Sequence, residues 1–158
     1  MTRLSWFLGA LLTTAPTVLA SQAPDTSSAV SAIGALFGAM RRSDTAAVRN
    51  IFHPDGRVIG VPSSSAAAGR LNILTVDAFV RFAGQNAPEA WVEKMWNPTV
   101  HTDGALATVL FDYDVVRSGK FSHCGTNSVQ LLLAATGWKI FSMTFTSRPS
   151  SCPTHANP

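Results

Sequence analysis

Charge is scarce in this 158-residue chain, cysteine is scarcer, and no hydrophobic run is long enough to cross a bilayer. Each shortage excludes something. Only 13% of the residues are charged, and the basic ones are scattered, with Arg41-Arg42 the only adjacent pair. No Lys/Arg stripe interleaved with aromatics is present, which argues against a nucleic-acid partner. His53, His101, His123 and His155 stand apart, without the close ligand pair that a zinc site displays, so no metal is expected. There is no glycine-rich phosphate loop, Gly-x-Ser-x-Gly elbow or dinucleotide fingerprint, and no cofactor is expected. The first apolar run, Leu4 to Leu12, is about half of the roughly 20 residues that a spanning helix needs.

That short run has another use. Arg3 precedes it, Pro16 breaks it, and Val18-Leu19-Ala20 offers small residues for cleavage, the pattern of a secretory signal peptide cut after Ala20. The chain then divides into a signal peptide (1–20), a polar leader (21–27), one domain (28–148) and a C-terminal tail (149–158). Losing Arg3 leaves eleven basic against nine acidic residues, a net charge of +2 with histidine neutral. The mature protein is expected to be periplasmic or secreted, with no stable membrane anchor. Hydrophobic residues make up 46% of the chain, enough for one core.

In an oxidising compartment the two cysteines, Cys124 and Cys152, invite a disulfide. A hairpin turning near Thr136 sets Cys124 across from Ser147 or Arg148, within reach of a tail that folds back. The competing reading, a Cys124 nucleophile activated by His123, is weaker because strand neighbours point to opposite faces.

Apolar residues Ala29, Val30, Ile33, Leu36, Phe37 and Met40 recur at helical spacing and predict a helix over 26–42. Asp44 is placed to cap a second, short helix that His53-Pro54-Asp55-Gly56 ends. A strand follows over Arg57 to Val61, then a Ser/Ala loop from Pro62 to Gly69. Thr75 caps a third helix carrying Val76, Phe79, Val80 and Phe82, which runs to about Asn86–Pro88. Beyond it lie β-rich runs, Glu89 to Thr102 and Ala105 to Val116, with a turn at Asp103-Gly104. Two further strands, Phe121 to Ala134 and Trp138 to Thr146, form a hairpin joined through Ala135-Thr136-Gly137. A turn shorter or longer by one residue would set Val129-Leu131-Leu133 beside either Trp138-Ile140 or Phe141-Met143-Phe145.

This order, with the Gly119–Leu131 and Gly137–Ile140 segments, resembles the nuclear-transport-factor-2-like superfamily, in the exported bacterial branch named for lumazine binding and akin to the SnoaL-like proteins. Phe52-His53-Pro54-Asp55, Thr75-Val76-Asp77 and Tyr113-Asp114 carry the resemblance. It implies an α+β cone: three N-terminal helices packed on a strongly curved antiparallel sheet, a pocket at the open end, and commonly a homodimer. Relatives include ketosteroid isomerase, polyketide cyclases and scytalone dehydratase. In the isomerase a carboxylate near the end of the first strand takes the proton. Here that position falls at about Gly60, which argues against the same mechanism.

The remaining candidates are few. Asp112 and Asp114 lie two apart on one strand, hence on one face, where carboxylates near a pocket could exchange a proton; they are equally suited to a solvated face or to a basic partner. His123 and His53 titrate near neutrality, although His53 at a helix end could merely cap carbonyls. Trp91, Trp96 and Trp138 read as core or pocket lining. The leading expectation is an exported domain that binds a small hydrophobic or aromatic molecule through Tyr113, Asp114, His123, Asn127 and His53. The alternatives are a cofactor-free lyase or isomerase using Asp112 or Asp114 with His123, and a ligand-free dimerisation domain.

Overall fold

A computed structural model of the chain describes residues 26–62 and 69–152. The signal segment, most of the leader, the interior of the Ser/Ala loop, His155 and the end of the tail lie outside the described residues. Helix α1, Thr26–Arg41, buries Ala29, Ile33, Leu36, Phe37 and Met40 along one side. It ends where Ser43 enters the left-handed region at φ 55° and turns the chain back. Asp44 then caps α2, Thr45–Ile51, by accepting from the Ala47 amide at 3.0 Å. Thr75 does the same for α3, Val76–Gly84, through Ala78 at 3.2 Å.

Strands β1 (Phe52–Pro62), β2 (Asn72–Thr75), β3 (Trp91–Asp103), β4 (Leu106–Arg117), β5 (Lys120–Ala134) and β6 (Gly137–Ser147) form one sheet in the order β2-β1-β6-β5-β4-β3. Three details differ from the sequence reading. Strand β1 begins at Phe52, five residues early, because His53–Gly56 end the helix inside an irregular first stretch of strand. Strand β2, an exposed four-residue edge, adds a pairing that its short length concealed. The pairing of β1 with β6 is parallel, whereas the rest of the sheet is antiparallel. After α3 the chain starts again at the far edge, and the four-strand meander returns β6 beside β1 in the same direction.

Register breaks at Trp96/Thr99, Val115/Val116 and Gln130/Leu131 bend the sheet around the helices. The last of them answers the hairpin question. Leu133 pairs with Trp138 and Leu131 with Ile140; Phe141 is then the extra residue, and Val129 pairs with Met143 and Asn127 with Phe145. Both alternative alignments thus occur in one hairpin, one on each side of the bulge. The concave face carries Ala107, Val109, Phe111, Val129, Leu131 and Ile140, all at most 2% exposed, beneath α1, while α3 packs on β1 and β2. Trp138 sits in this core with its indole N–H donating to Ser28 Oγ at 2.9 Å. Among the described residues no helix is long and apolar enough to cross a membrane.

Candidate functional site

Beside Met40, in the last turn of α1, the concave face holds a cavity of about 300 Å³. Its walls come from α3 (Phe79, Phe82), from β1 (Val58, Gly60) and from Trp91, Glu93, Tyr113, His123, Asn127, Met143 and Phe145. Strand alternation explains the set. Cross-strand pairs share a face, and Val115–His123, Tyr113–Gly125 and Phe111–Asn127 are successive inward pairs of β4 and β5.

The same alternation sends Asp112 and Asp114 to the other face of the sheet. Asp112 pairs with Thr126 and accepts its hydroxyl at 3.1 Å. Asp114, fully buried, pairs with Cys124 and accepts the Trp96 indole N–H. The two aspartates do share a face, but it is not the face of His123, so neither joins that histidine in the cavity. Trp96, too, lies on this outer side rather than in core or pocket. His53 lies between α2 and β6, away from the cavity, with its Nδ1 accepting from the Asp55 amide at 3.2 Å and its ring 6.0 Å from Phe141. Cys124 and Cys152 form the disulfide, with Cα atoms 5.9 Å apart, and Cys124 pairs with Arg148 as the hairpin register requires.

Within the cavity Tyr113, His123 and Asn127 come together. The Val115/Val116 register break opposes an extra residue, Ser122, and brings the Ser122 hydroxyl to 3.0 Å from His123 Nδ1. The imidazole packs edge-on to Trp91 and to Tyr113, each at 5.8 Å. Burial lowers the His123 pKa from its usual value, and the nearby Arg117 charge lowers it further, so this histidine is neutral at pH 7. Tyr113 donates its phenolic proton to Thr146 O at 2.8 Å. Burial, with the Glu93 charge, pushes its pKa well up. The phenol reaches that carbonyl because residue 125 is glycine: a Cβ there would lie 1.9 Å from Thr146 O and 2.6 Å from the Tyr113 ring.

Sequence reading missed Glu93. It alternates with Trp91 and Met95 along β3, and a carboxylate between two apolar i±2 neighbours was the available signal. Its carboxyl is half-buried in the cavity wall and, among the described residues, has two long contacts, from Trp91 Nε1 and Asn127 Nδ2, both at 3.4 Å. Burial pushes its pKa up to about 7; the two N–H contacts oppose the shift, and the Asp114 charge adds to it. An apolar cavity therefore holds one carboxyl that exchanges its proton near neutrality, a neutral imidazole, a phenol and a primary amide. Among the described residues no cluster of three or more His, Cys, Asp or Glu side chains is arranged to hold a metal.

No family model matches the sequence, and no curated protein matches it. Solved structures do. A protein of unknown function with a cystatin-like fold from Nostoc punctiforme aligns at TM-score 0.64 and 12% identity, over 82% of this chain and 94% of that one. A candidate dehydratase of the NTF2-like family from Streptomyces avermitilis aligns at TM-score 0.63 and 16% identity, over 79% and 96%. The CaMKII hub of S. rosetta aligns at TM-score 0.61 and 18% identity, over 83% and 100%. The chain has the nuclear-transport-factor-2-like, cystatin-like fold. At these identities the likeness is one of fold, a fold compatible with small-ligand binding and with oligomerisation.

Proposed function

We propose that the chain is an exported small-molecule-binding domain whose ligand occupies the cavity between α3 and the open end of the sheet. The observation that carries this reading is the wall itself: apolar and aromatic side chains interrupted by four converging polar groups, Glu93, Tyr113, His123 and Asn127. Such a composition is typical of ligand sites, and about 300 Å³ lies at the small end of their range. Export is supported by the N-terminal signal pattern and by the Cys124–Cys152 bond, which belongs to oxidising compartments. A homodimer is supported by exposed Leu106 and Leu110 on the convex face of β4, opposite the cavity.

Native mass spectrometry of the mature protein tests ligand and assembly together. The expected spectrum is a dimer carrying a small molecule that dissociates on activation. A dimer with no added mass favours the ligand-free interaction domain, and a bare monomer defeats both.

An acid–base enzyme is the second reading, with Glu93 in the place earlier given to Asp112 or Asp114. Glu93 shares the cavity with His123 and titrates near neutrality, as a proton-transferring carboxyl must. Turnover of a bound molecule, abolished in both Glu93→Gln and His123→Ala, would select it.

A further inference from the structure

Beside Asn72, His123 and Ser147, two of the cavity's polar groups present acceptors that the protein leaves poorly matched. Asn127 is 2% exposed and directs its Nδ2 at Glu93, while its Oδ1 is buried with no hydrogen-bond partner among the described residues. A buried acceptor left unpaired is costly, so a donor from outside is favoured there. Glu93 has only its two 3.4 Å contacts, beyond the range of a good N–H···O bond. Tyr113 has committed its proton to Thr146 O, and its oxygen already meets the Ser147 side chain. Aromatic rings of Trp91, Phe82 and Phe145 close around these atoms, with Phe82 and Trp91 centroids 5.4 Å apart.

Among the described residues no lysine or arginine lines the cavity. Two cations stand nearby. Arg117 is solvent-exposed, with its guanidinium 5.3 Å from the Trp91 ring centre, and Arg148 pairs with Cys124, whose side chain points to the outer face. Water screens the exposed Arg117, whereas Arg148, half-buried with its Nε enclosed, acts on Tyr113 and opposes a cationic guest from that side. The Asp114 charge, buried behind the wall, works in the guest's favour.

We infer that the ligand class of this pocket, granted the binding reading above on which the inference rests, is a compact organic ammonium ion, an amine on an apolar body. Its N–H groups meet Glu93 and Asn127 Oδ1, and its charge sits among the aromatic rings. Carboxylate and aromatic walls together are the recurring recognition chemistry for such cations. An anion would instead meet the unpaired Asn127 Oδ1 and hold Glu93 in its protonated form.

Isothermal titration of the mature protein with phenethylamine, phenethyl alcohol and phenylacetate at neutral pH compares one body bearing three charges. Phenethylamine is expected to bind at least ~10-fold more tightly than the alcohol, with the carboxylate weakest. Glu93→Gln is expected to shrink the amine preference to within about threefold. Should that variant not fold, Asn127→Leu removes the unpaired acceptor and reads the same ratio. Alcohol or carboxylate binding as tightly as the amine overturns the ammonium class while leaving the cavity a binding site, as does an amine preference unchanged in both variants. Heat from none of the three overturns the inference; only an empty native mass spectrum as well would take the binding reading with it.

Discussion

At the scale of single residues, Glu93 is a cavity carboxyl whose surroundings disfavour its charge. Its folded pKa of about 7 exceeds the ordinary 4.5, so the fold holds the carboxyl's proton more tightly than the unfolded chain does. The associated stability is fully present below about pH 4.5 and is lost as pH rises through 7. Above pH 7 the ionised carboxylate works against folding by on the order of 2–3 kcal/mol. Glu93→Gln keeps the shape and removes the titration. Thermal unfolding at pH 5 and pH 8 is expected to show the variant close to the parent at the lower pH and several degrees more stable at the higher. A parent that melts above the variant at pH 8 would contradict the assigned environment. Sequence named Tyr113 through the Tyr113-Asp114 motif and His123 and Asn127 through the Gly119–Leu131 segment, and all three side chains line the cavity. It did not reach Glu93 or exclude Asp114. Parity within β4 separates Tyr113 from Asp114, but which parity faces inward depends on where the helices dock, and no local pattern encodes that.

At the scale of elements, caps and turns were legible and bulges were not. Asp44 and Thr75 announce their helices through side-chain chemistry that acts within three residues. Phe141 announces nothing, since an extra residue in a strand shows only against its partner. Its deletion should be mild all the same. Without it Trp138, Ile140, Met143 and Phe145 fall into plain alternation, and the inward set is kept. Deleting Lys139 instead sends Ile140 to the outward place of Lys139 and forces the larger Phe141 inward opposite Leu131, a misfit costing about 1–3 kcal/mol. Chemical denaturation of the two deletants is expected to rank the Phe141 deletion well above the Lys139 deletion; the reverse order would mean that the bulge, not the inward pattern, holds this hairpin.

At the scale of the whole molecule, the α+β cone was legible because long strands, capped helices and glycine turns agree with one another, and because motif residues spread along the domain resemble one superfamily. The tail is held to the body by the disulfide, which closes a loop across 28 positions. In the chain-entropy account such a closure contributes roughly 3–4 kcal/mol. The double variant Cys124→Ser/Cys152→Ser is expected to lose about that much in denaturant unfolding, and an unchanged midpoint would show that the tail's own packing suffices. The parallel pairing of β1 with β6 carries a consequence of another kind, in time rather than energy. Val58 waits for Met143, so the first strand made has its central neighbour supplied by the last. A growing chain can complete α1, α2 and the β1–β2 ribbon early, yet the sheet cannot close until nearly the whole domain has been synthesised. Closure over so long a separation makes folding slow and late, and a polypeptide that closes late remains threadable for most of its manufacture.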